Sequence, residues 1–397
     1  MLALATTPVW VVPASVARGQ EVNSVVDGRV DAGPALEAVE PRDEERRGGL
    51  ELGVVVAAAY DSNIYLSSTD PTSDMVYRVG PLIAYTQGDS KAGEGGYIRV
   101  AYQPTGVIYA DEKANNRIDQ SAGLEAGWKG KVSKLTYKAD VRKSGDATAD
   151  TGTQTERVEF ENEIRAAWLV REKVSLEAAA GGWQTKYRNP SLVDSGQYYG
   201  EVAVRYAYSP KTEVGVFYQA GRLKIEGADS QTIQQVSGSL SWQPREKIGV
   251  KIDAGAELRK AGDSSTTNPV VNARVDWTPR EGTRLFLTAY QRQEVSALNE
   301  GQIYEVKGFA AGVSQRLGGN WAASLEGGYE VASYIPDSST GALSREDKIW
   351  FLRPALNYQF SDQLDGSVFY EASDNDSTDT NFGYDAAVTG VELNYKF

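Results

Sequence analysis

The chain of 397 residues contains no cysteine, no histidine and only two methionines. Without cysteine there are no disulfides and no thiolate metal sites. Without histidine, the side chain that most often acts as a base near neutral pH is missing. After the N-terminus no run approaches the ~18 consecutive apolar residues that a membrane helix needs. The mean hydropathy is below zero. No glycine-rich phosphate loop precedes a helix, and no basic stripe points to nucleic acid.

What the chain has in quantity is charge, glycine and tyrosine. Acidic residues number 54 and basic residues 41, for a formal charge of −13, with 40 glycines and 22 tyrosines. The final residues alternate strictly. Ala387, Thr389, Val391, Leu393, Tyr395 and Phe397 share one face, and Glu392, Asn394 and Lys396 the other. A chain of low hydropathy can cross a membrane as a barrel, because lipid-facing and lumen-facing residues alternate and average out.

From Leu50 onward one plan repeats: about a dozen residues of period 2, then a turn. Short connections (169–173, 209–212, 243–247, 278–282, 317–320 and 360–363) alternate with longer ones rich in Asp, Ser, Thr and Gly (145–155, 189–196, 262–267, 336–347 and 373–381). Short turns at one rim and long loops at the other are the habit of outer-membrane barrels. The expected strands are 50–66, 75–87, 96–110, 117–129, 132–144, 156–169, 174–188, 197–208, 212–226, 231–243, 247–261, 268–278, 283–297, 302–316, 321–335, 347–360, 363–373 and 382–397. The fold class is therefore all-β: a transmembrane antiparallel up-and-down barrel of about 18 strands (16 to 18), both termini periplasmic.

Facing follows from the period. Leu135, Tyr137, Ala139 and Val141, or Ile248, Val250, Ile252 and Ala254, would meet lipid, and the charged residues between them would line the lumen. The expected lining comprises Lys138, Arg142, Glu159, Glu161, Glu163, Arg165, Glu201, Arg205, Lys251, Asp253, Glu257, Arg259, Arg274, Glu326 and Arg353. It reads either as a salt-bridged wall, with Lys138 and Arg142 pairing the three glutamates, or as a path for polar solutes. Trp183, Tyr199, Phe217, Phe286, Tyr290 and Phe369 share the inward phase and could stack sugars or fill space around a folded-in loop. An aromatic girdle of Trp128, Trp168, Tyr208, Trp242, Trp277 and Tyr358 lies beside the short turns, where a membrane interface would sit. The repeated text Trp-Gln-Pro-Arg-Glu (242–246) and Trp-Thr-Pro-Arg-Glu (277–281) marks two equivalent turns.

Leu2 to Ala17 reads as a signal h-region ending at Ser15-Val16-Ala17, though without the usual basic start; a buried strand is the alternative. Residues 18–49, with Pro34, Pro41 and a charge-dense run, read as a periplasmic lead-in, and 50–397 as the barrel.

Tyr60-Asp61-Ser62-Asn63-Ile64-Tyr65-Leu66 and Ser73-Asp74-Met75-Val76-Tyr77-Arg78-Val79-Gly80-Pro81 resemble the opening of the outer-membrane β-barrel porin family encoded beside exopolysaccharide and exosortase clusters. The specific match covers about residues 60 to 85. The resemblance implies a barrel and a link to polysaccharide secretion, and no catalytic residues. Asp61 and Asn63 look like turn formers; binding of sugar or cation by Asp61, Asn63, Asp70 and Asp74 is the other reading. Asp374-Asn375-Asp376 with Asp379 resembles half of a calcium loop but lacks its glycine and distal glutamate.

The sequence thus points to a non-enzymatic channel with no cofactor and no metal. The barrel enzymes of outer membranes need a histidine base, and its loss costs ~10²–10⁴-fold in rate. A porin-like conduit tied to exopolysaccharide export is the first expectation. A general or sugar-uptake porin and a plugged structural or adhesive protein are the alternatives. Expected partners are outer-membrane lipid and lipopolysaccharide, the barrel-assembly machinery reading Phe397, and polar solutes or polysaccharide. Nucleic acid is not among them, and the oligomeric state stays open.

Overall fold

The computed structural model describes residues 49–88, 94–335 and 344–397. The signal assigned to 1–17, the lead-in assigned to 18–49 except for Gly49, and most of the 336–347 loop lie outside the described residues.

The strands are β1 (Gly49–Asp61), β2 (Asp74–Gly88), β3 (Gly95–Tyr109), β4 (Arg117–Lys129), β5 (Ser133–Ser144), β6 (Ala147–Thr148), β7 (Thr153–Gln154), β8 (Arg157–Arg171), β9 (Val174–Tyr187) and β10 (Ser195–Ser209). They continue as β11 (Thr212–Ile225), β12 (Gln231–Arg245), β13 (Ile248–Ala261), β14 (Ser264–Arg280), β15 (Thr283–Val295), β16 (Ile303–Gly318), β17 (Trp321–Tyr334), β18 (Arg345–Gln359), β19 (Leu364–Ser377) and β20 (Tyr384–Lys396). All but β6 and β7 form one 18-stranded sheet in which each strand pairs antiparallel with its neighbours. The sheet closes on itself, β1 against β20, with Val54 opposite Tyr395 and Val56 opposite Leu393. The Phe397 N–H donates to the Leu52 carbonyl at 2.9 Å. A closed sheet leaves no backbone edge in lipid, the condition for a β-structure to span a membrane. Among the described residues no helix is long and apolar enough to cross a bilayer.

Several boundaries differ from the sequence reading, for local reasons. β1 stops at Asp61 rather than at 66 because the Asp61 carboxylate accepts the Asn63 N–H at 2.9 Å, an Asx turn that breaks the strand. β14 begins at Ser264, so the expected 262–267 loop shrinks to Gly262-Asp263, with Gly262 at φ 54°. β19 runs on to Ser377, so Asp374 and Asp376 fall on one face of a strand and Asn375 on the other. The half calcium loop therefore does not converge, and among the described residues no cluster of acidic side chains is arranged to hold a metal ion.

The outer surface is apolar. Leu135, Val141, Phe160, Ile164, Val202, Val216, Val236, Leu325 and Val391 are exposed along it. Trp128, Trp168, Tyr208, Trp242 and Trp277 are exposed near the rim that carries Gly49 and Phe397, Tyr208 to 69%. Tyr358 completes this girdle between the Trp321 and Phe360 rings, at centroid distances of 4.5 and 4.8 Å. Exposed large apolar side chains at this density are excluded from water. An apolar band with an aromatic margin on a closed barrel places the chain in the bacterial outer membrane. Among the described residues, five of the six two-residue turns of the large sheet (172–173, 210–211, 246–247, 281–282 and 319–320) belong to the girdle rim and 262–263 to the other, so the girdle rim is periplasmic.

Candidate functional site

The inner face divides into two zones. On the periplasmic side charged groups meet solvent: Arg99 and Lys138 are exposed although their strands turn them inward. The register sets Arg99, Glu125, Lys138 and Glu163 side by side across β3, β4, β5 and β8. Opposite charges alternate along that row, so each carboxylate has a cation on either side or a hydroxyl. Arg142 stands opposite Glu159, and Asp140 opposite Glu161.

Two arginines organise the neighbouring wall. Arg165 reaches Glu163 (3.0 Å), Glu201 (2.8 Å) and Glu177 (3.4 Å). Arg205 takes the other oxygen of Glu177 at 2.8 Å. Further round, Arg157 pairs Glu159, Arg259 pairs Glu257, Arg274 pairs Asp276, and Arg353 pairs Glu371. Lys251 lies opposite Arg274, Asp253 opposite Asn272, and Glu326 opposite Arg353. The fifteen residues expected in the lumen thus spread round the wall and do not converge on one centre. Four of these eight ion pairs run along a strand, i to i+2, and four cross to another strand, while the register sets Lys138 opposite Glu163 and Arg142 opposite Glu159. An arginine is long enough to reach two positions along its own face.

The inward aromatics are flattened onto this wall. A Cβ on Gly308 would come within 2.7 Å of the Tyr290 ring, and one on Gly312 within 2.4 Å of the Phe286 ring. Each glycine leaves the space its neighbour's ring fills, which anchors ring to sheet. The open ring faces then carry guanidinium groups: Arg274 over Phe286 at 5.1 Å and Arg292 over Tyr290 at 4.6 Å. Those rings are not free to stack on sugars. Tyr199 is held differently, its hydroxyl donating to Glu163 at 2.9 Å.

The extracellular half holds a folded-in loop. The connection from β5 to β8 does not project outward; it folds inside the barrel as the β6–β7 hairpin. Asp146, Ala147, Thr148, Ala149, Asp150 and Thr151 are all buried. The sequence favours a tight turn here. Gly152 adopts φ 60°, its N–H donates to the Thr148 carbonyl at 2.8 Å, and the Thr148 and Thr151 hydroxyls are 2.8 Å apart. At the base, Asp146 accepts from Arg117 at 2.5 Å with Arg78 at 3.4 Å, and Arg157 donates to the Asp146 carbonyl at 3.2 Å. Ala147 and Ala149 pack against Leu66, Ala310, Ile349, Phe351, Tyr384 and Ala386. Most of those residues stand on β16, β18 and β20, across the lumen from the β5 and β8 strands that carry the hairpin.

Asp150 at the tip is the anchor. Its carboxylate accepts the Ala297 N–H (2.7 Å), the Ser296 hydroxyl (3.0 Å) and the Tyr334 hydroxyl (3.0 Å). Arg345 stands 3.6 Å from the same carboxylate, between the rings of Tyr334 and Phe382. Burial pushes the Asp150 carboxyl up from its ordinary range, against the Ala297 N–H, Arg345 and the two hydroxyls, which pull it down.

The stretch that carried the family resemblance works as a support for this plug. Asn63 accepts the Ser67 N–H at 2.9 Å and donates to the Ser67 and Asp385 carbonyls. Asp74 accepts the Ala110, Asp111 and Glu112 N–H groups. Ile64 and Leu66 are fully buried, and the Ile64 carbonyl accepts from Gln154 of the hairpin at 2.9 Å. Asp61, Asn63 and Asp74 therefore bond backbone groups of their own and neighbouring loops. Sequence reasoning marked 145–155 as a long loop without saying that it turns inward. Its signal was two alanines and four threonines in a connection that a water-facing loop would make more strongly polar.

No family model and no curated protein matches the chain. Among solved structures the chain is similar to the outer membrane protein OpdK of Pseudomonas aeruginosa, at 9% identity over 88% of this chain and 99% of that one (TM-score 0.46). OpdQ of the same organism is similar at 11% identity, over 88% and 98% of the two chains (TM-score 0.47). OccAB2 of Acinetobacter baumannii is similar at 12% identity over the same shares (TM-score 0.49).

Proposed function

We propose that the protein is a porin-like outer-membrane channel whose outer half is closed or narrowed by the 145–155 hairpin. The observation that carries the reading is the Asp150 anchor: a loop held inside the lumen by one buried carboxylate on the opposite wall. Below it, solvent-exposed charges of both signs suit hydrated polar or charged solutes. The balance of −13 favours cations. No catalytic step is assigned. The test is single-channel current in a planar bilayer for the wild-type chain and for Asp150→Ala. A small or flickering current that grows in the variant is the expected result. If neither protein conducts while both migrate as folded, heat-modifiable barrels, the plugged structural reading takes over.

The finer reading is a conduit for a surface polysaccharide, and it rests on the resemblance over 60–85. A long sugar chain would need the hairpin to leave the lumen, so sugar oligomers should block current only when Asp150 is released. A gene deletion that leaves surface polysaccharide unchanged while slowing uptake of one small solute would favour the uptake porin instead. In the same reading, Phe397 presents the terminus to the assembly machinery.

A further inference from the structure

The outward face near the extracellular rim is not uniform in charge. On β9, Lys186 points outward and is exposed; on β11, so do Arg222 and Lys224; on β13, so does Lys260. The register ties them into one patch. Arg222 lies opposite Thr232, which lies opposite Lys260. Lys224 lies opposite Gly196, which lies opposite Gln184, two residues below Lys186. None of the four has an ion-pair partner among the described residues. By contrast Lys143 and Arg188, beside the patch, are both held by Glu156 at 3.2 and 3.4 Å. Glu226 and Asp263 lie past the strand ends, further from the membrane, and Glu226 faces the Asp194 N–H.

The height of the patch matches a lipid headgroup. On β11, Trp242 of the periplasmic girdle faces Thr212, and Arg222 comes ten residues later on the same strand. Ten residues at ~3.3 Å, tilted ~40°, rise ~25 Å, about the height of the apolar band of an outer-membrane barrel. Val214, Val216, Tyr218 and Ala220 fill the band below the cations. The opposite arc has the other character. There Lys307 and Lys348 are neutralised by Glu305 and Glu346, and Asp374 and Asp385 face each other with Asp376 nearby. One side of the rim therefore attracts anions at headgroup depth and the other repels them.

We propose that the rim over β9–β13 binds the phosphate groups of an acylated outer-leaflet glycolipid, with its acyl chains along Val216, Tyr218 and Val236. Unpaired cations above an apolar wall fit a phosphorylated amphiphile, since the wall alone holds any lipid and the cations alone hold only weakly. The test uses the folded full-length chain in detergent. Purified lipopolysaccharide, and the same material stripped of phosphate by hydrofluoric acid, are offered at equal concentration. Glycolipid retained per barrel is measured after gel filtration. The wild type should retain the phosphorylated form better by on the order of tenfold or more. Lys186→Gln with Arg222→Gln and Lys224→Gln should lose that preference, on the order of tenfold or more for three cations near an anionic surface. Arg222→Lys should keep it, and Lys307→Gln with Lys348→Gln on the opposite arc should leave it unchanged. Heat-modifiable mobility checks that every variant is assembled. Equal retention of both glycolipids by the wild type, or full preference in the triple variant, would overturn the proposal.

Discussion

Tyr334 and Asp150 are separated by 184 residues in sequence, and the tyrosine hydroxyl donates to the aspartate at 3.0 Å. That bond joins the two sides of the barrel through its lumen. A hairpin that grows from β5 and β8 ends on the wall built by β15 to β18, so its position is set at the far end by a few hydrogen bonds.

Asp150→Ala should release the hairpin tip. Hydrogen bonds to a charged group contribute about 1.5–3 kcal/mol each, and breaking a buried pair costs ~3–5 kcal/mol. The barrel ladder is untouched, so heat-modifiable migration should persist while conductance rises. Unchanged conductance in assembled protein would place the closure elsewhere.

Acidity should tighten the same anchor. Docked, the Asp150 carboxyl lies above its ordinary value because of burial; undocked, it returns to water at ~3.9. Docking therefore takes up protons between the two values. The contribution is full below pH ~4 and is lost as pH rises through the raised value. Arg345 and Asp347 from β18 and Tyr334 from β17 share its surroundings. Current should climb from acid toward neutral pH, and Asp150→Asn should flatten that part of the profile. An identical pH profile in the variant would assign the effect to other lumen carboxylates.

Arg165→Gln should shift selectivity. The guanidinium serves three carboxylates, and its loss takes that cation from Glu163, Glu177 and Glu201, leaving Arg205 on Glu177 and Lys138 opposite Glu163. Reversal potential under a salt gradient should move toward stronger cation preference. No movement would mean that ions do not pass this stretch of wall.

Ile252→Arg tests the facing. Ile252 sits mid-strand between outward-facing Leu240 and Ala273, and arginine there should cost ~2–4 kcal/mol of barrel stability. Lys251→Gln next door should cost far less in urea titration. Equal costs would invert the inside–outside assignment.

Truncation of Phe397 tests the seam. The residue is 72% exposed, stacks edge-on with Tyr395 at 5.0 Å, and adds one backbone bond to Leu52. The isolated barrel should lose little stability, whereas the yield of assembled protein in cells should fall. Normal assembly would remove the targeting role and leave only the bond.

The barrel was readable because period 2 is a local property. Val250, Ile252 and Ala254 alternate with Lys251 and Asp253, so the facing of β13 follows from five letters. The seam between β1 and β20 followed from closure alone. The ends of strands were less legible, because side chains decide them: Asp61 ends β1 by capping Asn63, which composition does not distinguish from a strand residue.

By itself the sequence determined the class of solvent each face meets, the even number of strands and the compartment, because alternation, turn chemistry and an aromatic margin are written residue by residue. Only the tertiary structure decided what stands in the lumen. Whether 145–155 points to water or inward depends on Ser296, Ala297, Tyr334 and Arg345, distant in the chain and brought within reach of Asp150 only once 18 strands have closed. The same closure gathers Lys186, Arg222, Lys224 and Lys260 onto one side of the rim, since antiparallel pairing turns scattered cations into neighbours.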